Sequence, residues 1–75
     1  MDTNLAVKIT DKIFCFHLIG FEQDIIYSTV NRSLMLTDHE TGAPIKIVEK
    51  DEDLLFEDFI LVARNMLLDT IEISN

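Results

Sequence analysis

Few side chains in this 75-residue chain have the types and spacing that chemistry needs. Cys15 and His17 flank Phe16, and residues two apart in an extended segment share a face, so a thiol and an imidazole stand side by side. A metal needs further ligands, and His39 is the one other histidine. A Cys–His nucleophilic pair needs its two groups within hydrogen-bond reach, which positions i and i+2 of a strand do not favour. The expectation is a packed strand in which Cys15 is a small buried hydrophobe, with no metal site. The run Asp38-His39-Glu40-Thr41-Gly42 departs from the D-x-[DN]-x-[DN]-G pattern of a calcium loop and reads as a solvated hairpin loop. The sequence holds no Gly-rich phosphate loop, no G-x-S-x-G, no H-E-x-x-H and no C-x-x-C. The paired acids Asp51-Glu52-Asp53 and Glu57-Asp58 are accounted for by the start and the solvent side of a helix. A chain this short also has little material to wall a pocket on the order of several hundred Å³. The expectation is therefore no enzyme, no catalytic residue and no cofactor.

The strongest periodic signal lies in residues 51–69, where a helix is expected. At about 100° per residue, Leu55, Phe56, Phe59, Ile60, Val62, Ala63, Met66 and Leu67 fill one continuous apolar side. Asp53, Glu57, Asp58, Arg64, Asn65 and Asp69 lie opposite. Asp51 is placed to cap the first turn, and Glu52 and Asp53 to meet the positive end of the helix dipole. The end is poorly signalled: no Gly follows, so the helix stops near Asp69 or runs on to Glu72. Between the two sides runs a row of Leu54, Leu61 and Leu68, seven apart. If the broad side faces a sheet, this row is either covered by loops and tail or left for a helix contact with a second copy or a foreign groove.

The remainder reads as strands. Leu5, Val7 and Ile9 alternate with Ala6, Lys8 and Thr10, and Asp11-Lys12 is a possible two-residue turn. Residues 13–21 are apolar on both faces and predict a central strand. Glu22, Gln23 and Asp24 form a polar break before a strand at 25–30. Asn31-Arg32 is a turn, with Asn31 the residue that tolerates positive φ. Strands at 33–37 and 45–48 flank the loop 38–44, whose breakers are Gly42 and Pro44. Residues 70–74 alternate again and could add a short strand or cover part of the leucine row. The expected fold is α+β, a single small domain: four to five antiparallel strands with one long C-terminal helix on one face. One helix of about five turns cannot cover both faces of such a sheet. The sheet either curls strongly or presents its second face to a partner.

Seventy-five residues sit near the lower limit for an unstapled core, and this chain makes up for it with 48% hydrophobic residues, five Phe and only two Gly and one Pro. One cysteine excludes an intramolecular disulfide framework and makes a reducing, cytoplasmic setting the expectation. No unbroken apolar stretch reaches membrane-spanning length, and the first residues lack the pattern of a secretion signal. The net charge of −8 is uneven: residues 38–58 hold eight acids against Lys46 and Lys50. Such a concentration repels nucleic acid and membrane surfaces and attracts basic protein surfaces.

These features favour a small acidic, non-enzymatic protein that works through protein–protein contact, as a homo-oligomeric accessory or regulatory protein joined through Leu54, Leu61 and Leu68 and the spare sheet face. The alternative is an inhibitor whose acids Asp51, Glu52, Asp53, Glu57 and Asp58 occupy a basic, nucleic-acid-binding groove of a target protein. In size, charge and layout the chain is similar to small phage-borne inhibitors of the anti-CRISPR, anti-restriction and uracil-DNA glycosylase inhibitor kinds. That likeness is one of type, with no shared motif residues, and implies no particular site residue.

Overall fold

Alternating runs such as 5–9 and the two-sided apolar run from Ile13 give five strands: β1 (Asn4–Thr10), β2 (Ile13–Leu18), β3 (Gln23–Ser28), β4 (Ser33–Asp38) and β5 (Pro44–Glu49). They are followed by one helix, α1 (Phe56–Ser74). The computed structural model describes residues 4–50 and 53–74, with side chains as far as residue 69. The strands form one antiparallel sheet in the order β1-β2-β3-β4-β5, each beside its neighbour in sequence. This is the α+β architecture that the residue pattern predicts.

The register puts one apolar set on the helix side. Phe16 faces Ile25 across β2–β3, Phe14 faces Tyr27, and on β4 Leu36 and Leu34 continue the same two rows. The helix lies over β2 and β3. It lowers Phe59, Ala63 and Leu67 onto these residues, and all three are fully buried. Phe59 meets Phe16 edge-on at 6.4 Å and Phe14 at 5.7 Å between ring centroids. Full burial of a side chain the size of Phe59 or Leu67 contributes about 1.5–3 kcal/mol of hydrophobic stabilisation.

The helix begins later than the periodicity predicts. The carbonyl of Leu55 accepts the N–H of Phe59 at 2.8 Å, so Leu55 stands in the cap position. Asp51, expected to cap the helix, and Glu52 lie outside the described residues; the first helical residue is Phe56. In the segment before the helix the backbone N–H of Leu54 donates to the Tyr27 hydroxyl at 3.0 Å, tying the entry to the core. Leu54 is buried and Leu55 exposed, the reverse of their expected roles. At its other end the helix continues to Ser74, so residues 70–74 extend it and add no strand.

The strand boundaries also differ in detail. β2 ends at Leu18, where Ile19 and Gly20 turn the chain, with Gly20 at φ +94° and the Phe21 N–H returned to the Leu18 carbonyl at 3.0 Å. Gln23 and Asp24, expected in a break, open β3. In the turn before β4 the positive φ, 54°, falls on Arg32 and not on Asn31.

Candidate functional site

His17 points away from the helix, on the sheet face that no element among the described residues covers as a layer. Its cross-strand partner on β3 is Asp24, whose own partner on β4 is Thr37. Cys15 shares this face, as the two-residue spacing predicts, but the His17 ring turns to Asp24 instead: Nδ1 lies 2.7 Å from Asp24 Oδ1. The other carboxylate oxygen, Oδ2, lies 2.9 Å from Nδ1 of His39. The two imidazoles stack, with centroids 4.2 Å apart and planes inclined by 18°. His17 and Asp24 are largely covered, at 17% and 16% side-chain exposure, while His39 is about half exposed, at 48%. A carboxylate can only accept, so each Nδ1 carries a hydrogen in these contacts.

The loop after β4 is built to hold His39 there. Asp38 Oδ2 accepts the N–H of Glu40 at 3.1 Å, the N–H of Thr41 at 2.9 Å and the Thr41 hydroxyl at 3.1 Å. The Gly42 N–H donates to the Asp38 carbonyl, and Gly42 takes φ +76°, which a residue with a Cβ rarely adopts. The His39 N–H donates to the Glu22 carbonyl at 2.8 Å and ties this loop to the one between β2 and β3. The hydrogen bonds from Thr41 hold the Asp38 carboxyl below its usual range. His39 is held above its ordinary value, first by the hydrogen bond that its ring donates to Asp24 and then by that carboxylate's charge. Burial, aided by the charge of Asp24, raises the Cys15 thiol. Beside the trio, Phe21, Glu22, Asp38, His39 and Glu40 line a depression of about 320 Å³.

Spacings of 7 and 15 residues carry no motif, and this is why the sequence reading sees only Cys15 beside His17. The antiparallel register and the bent loop bring Asp24 and His39 to the ring.

The residues expected to bind partners are dispersed. Leu54 is buried against the sheet before the helix starts, so Leu54, Leu61 and Leu68 do not form one exposed line. Leu61 is 63% exposed and Leu68 39%. Asp53 is exposed and pairs with Arg32 at 3.0 Å, and Glu57 and Asp58 are exposed in the first helical turn. The acid-rich stretch 38–58 is not one surface. β5 separates Asp38 and Glu40, at one end of the sheet, from Glu49, Asp53, Glu57 and Asp58 at the other, by roughly 17–20 Å of strand.

The larger uncovered feature is apolar. At one level of the register Val7, Cys15, Ile26, Met35 and Ile47 are successive partners, a row that crosses all five strands on the face away from the helix. Val7 is 53% exposed and Ile47 61%, with Leu5 and Ile13 exposed on the same face. Among the described residues no helix is long and apolar enough to cross a membrane. The chain matches no protein-family model, no curated protein and no solved structure.

Proposed function

We propose that this chain is a small non-catalytic interaction protein that joins a second copy of itself through the open face of its sheet. The supporting observation is the five-strand row Val7–Cys15–Ile26–Met35–Ile47. Soluble chains rarely leave so continuous an apolar surface without a partner. Two such sheets packed face to face, about 10 Å apart, would interdigitate these side chains into a shared core. Five strands about 4.8 Å apart and about six residues long cover on the order of 500 Å², so two faces bury about 1,000 Å². That is the lower end of specific interfaces and suits a reversible dimer. The face is also low in like charge, which matters for copies carrying −8 each. Of its strand acids, Asp24 is engaged by two histidines and Glu49 lies at the far edge.

The edges of the sheet are poorer joints. The β1–β2 and β4–β5 ladders are each interrupted by a bulge, Pro44 on edge strand β5 lacks an N–H, and both edge strands carry a lysine, Lys8 and Lys46. These features discourage addition of a further strand.

Analytical ultracentrifugation tests the reading. The wild type sediments as a dimer at tens of micromolar, and Val7→Lys with Ile47→Lys gives a folded monomer that melts like the wild type diluted until it is monomeric, because both positions are exposed in the single chain. A wild type that stays monomeric at high micromolar concentration overturns it. A second reading, occupation of a basic protein groove by acids, draws on the exposed Glu57 and Asp58 beside Asp53. It predicts a complex with a basic partner that dissociates as salt rises.

A further inference from the structure

We propose that His17, Asp24 and His39 form a binding site for one divalent transition-metal ion of the zinc type. The three residues come from β2, from β3 and from the loop after β4, and their ligating atoms all lie within 4.8 Å of one another. Ligand atoms about 2.0–2.2 Å from a tetrahedral zinc ion stand about 3.3 Å apart. The two Nδ1–carboxylate separations, 2.7 and 2.9 Å, run to different oxygens of Asp24, so one ion needs these contacts to open by a few tenths of an ångström and the set, within 4.8 Å overall, to close onto it through rotation of His39. On binding, the ion takes the two Nδ1 lone pairs and the ring hydrogens pass to Nε2, so both imidazoles stay neutral. Two imidazole nitrogens and one carboxylate oxygen suit zinc, cobalt or nickel, whereas calcium and magnesium prefer all-oxygen sets.

Positioning and access support the same assignment. His17 and Asp24 are largely covered and sit on paired strands, so two of the three ligands are held before an ion arrives. His39 is on the more exposed loop, where a small rotation is cheap, and the loop itself is pinned through Asp38 and through the Glu22 carbonyl. The depression that His39 shares with Phe21, Glu22, Asp38 and Glu40 gives an ion a route in and gives room for water in the fourth position. Its three carboxylates draw cations toward the site. With three protein ligands and an open position, the arrangement is closer to an exchangeable zinc site than to a closed structural one. The trio lies at one end of the same sheet face, two residues along β2 from Cys15 in the row proposed to join copies, so the titration is repeated on the Val7→Lys, Ile47→Lys variant, in which failure of the association leaves the metal site to be tested alone.

The test uses tag-free, metal-stripped protein titrated with Zn²⁺ by calorimetry, with Co²⁺ absorption and the histidine ring resonances as site-specific readouts. One saturable equivalent of Zn²⁺ is expected, shifting both histidine rings together, and Co²⁺ gives the visible bands of a low-coordinate site. His39→Ala and His17→Ala each weaken binding by at least about tenfold, since even an outer-shell partner is worth about 10–100-fold. His39 lies in an exposed loop, so His39→Ala keeps the test decisive if His17→Ala fails to fold. Absence of saturable binding, or binding undiminished in His39→Ala, overturns the proposal. Rings that respond to each other and to pH but not to Zn²⁺ also overturn it, leaving a hydrogen-bonded trio.

Discussion

The backbone N–H of Leu54 donates to the hydroxyl of Tyr27, 3.0 Å away and 27 residues earlier in the chain. Tyr27 is fully buried on β3, so this contact satisfies a hydroxyl at the centre of the core and fixes where the helix enters. Replacing Tyr27 with Phe keeps the ring but leaves the Leu54 N–H buried without its acceptor, a cost of about 1–3 kcal/mol. Thermal and denaturant unfolding of Tyr27→Phe should show that loss, with little change in helix content at low temperature.

The helix should respond in two opposite ways along its length. Phe59→Ala removes a fully buried ring and costs about 3–5 kcal/mol, and Phe59→Asp should abolish folding. Leu61→Glu, at a position 63% exposed, should leave both melting and sedimentation unchanged if copies meet through the sheet face. Loss of the dimer in Leu61→Glu, measured by sedimentation, would move the interface to the helix.

Glu57 and Asp58 belong to the first helical turn, because the helix starts at Phe56. Each therefore favours the helix through its dipole by about 0.3–1 kcal/mol. The Glu57→Gln, Asp58→Asn double variant should melt lower and lose part of this difference in high salt. Any fall in partner affinity in that variant has to be measured at a temperature where circular dichroism shows it fully folded.

In metal-free protein the His39 ring should titrate above its ordinary 6.5, because Asp24 accepts a hydrogen bond from it and its charge favours the imidazolium. The charges of Asp38 and Glu40 act in the same direction, and desolvation opposes them. A raised folded value means that the contact adds its stability in full below pH 6.5 and loses it as pH rises through the folded value. Nuclear magnetic resonance of the ring gives the midpoint directly. Asp24→Asn should bring that midpoint down, and an unchanged midpoint would separate the two residues in solution.

Much of the fold is legible in residue order. Period-two runs such as Leu5, Val7 and Ile9, and turns such as Asp11-Lys12, are local signals, and the strands lie in sequence order, so neighbours along the chain are neighbours in space. Errors cluster where a distant group decides. Leu54 and Leu55 are equally apolar, and the buried one is Leu54, whose N–H meets the distant Tyr27 hydroxyl. Gln23 and Asp24 look like a break because they are polar, yet Asp24 sits in a strand where two histidines accept its company on an otherwise uncovered face. The His17–Asp24–His39 trio left no spacing signal at all, since cross-strand register is not visible within either strand. The acid-rich stretch 38–58 shows the reverse hazard: adjacency in sequence suggests one surface, and a strand running through it makes two.

The order of the elements also has a consequence for the nascent chain. Each strand pairs with the one before it, so β1 to β5 can zip together as they leave the ribosome, without waiting for distant segments. The helix that covers Phe14, Phe16, Ile25, Tyr27, Leu34 and Leu36 is translated last. Until Phe59, Ala63 and Leu67 emerge, the growing sheet is bare and apolar on both sides, a state open to capture by chaperones or by other unfinished chains. How soon the helix closes over the paired strands thus sets how long that state lasts.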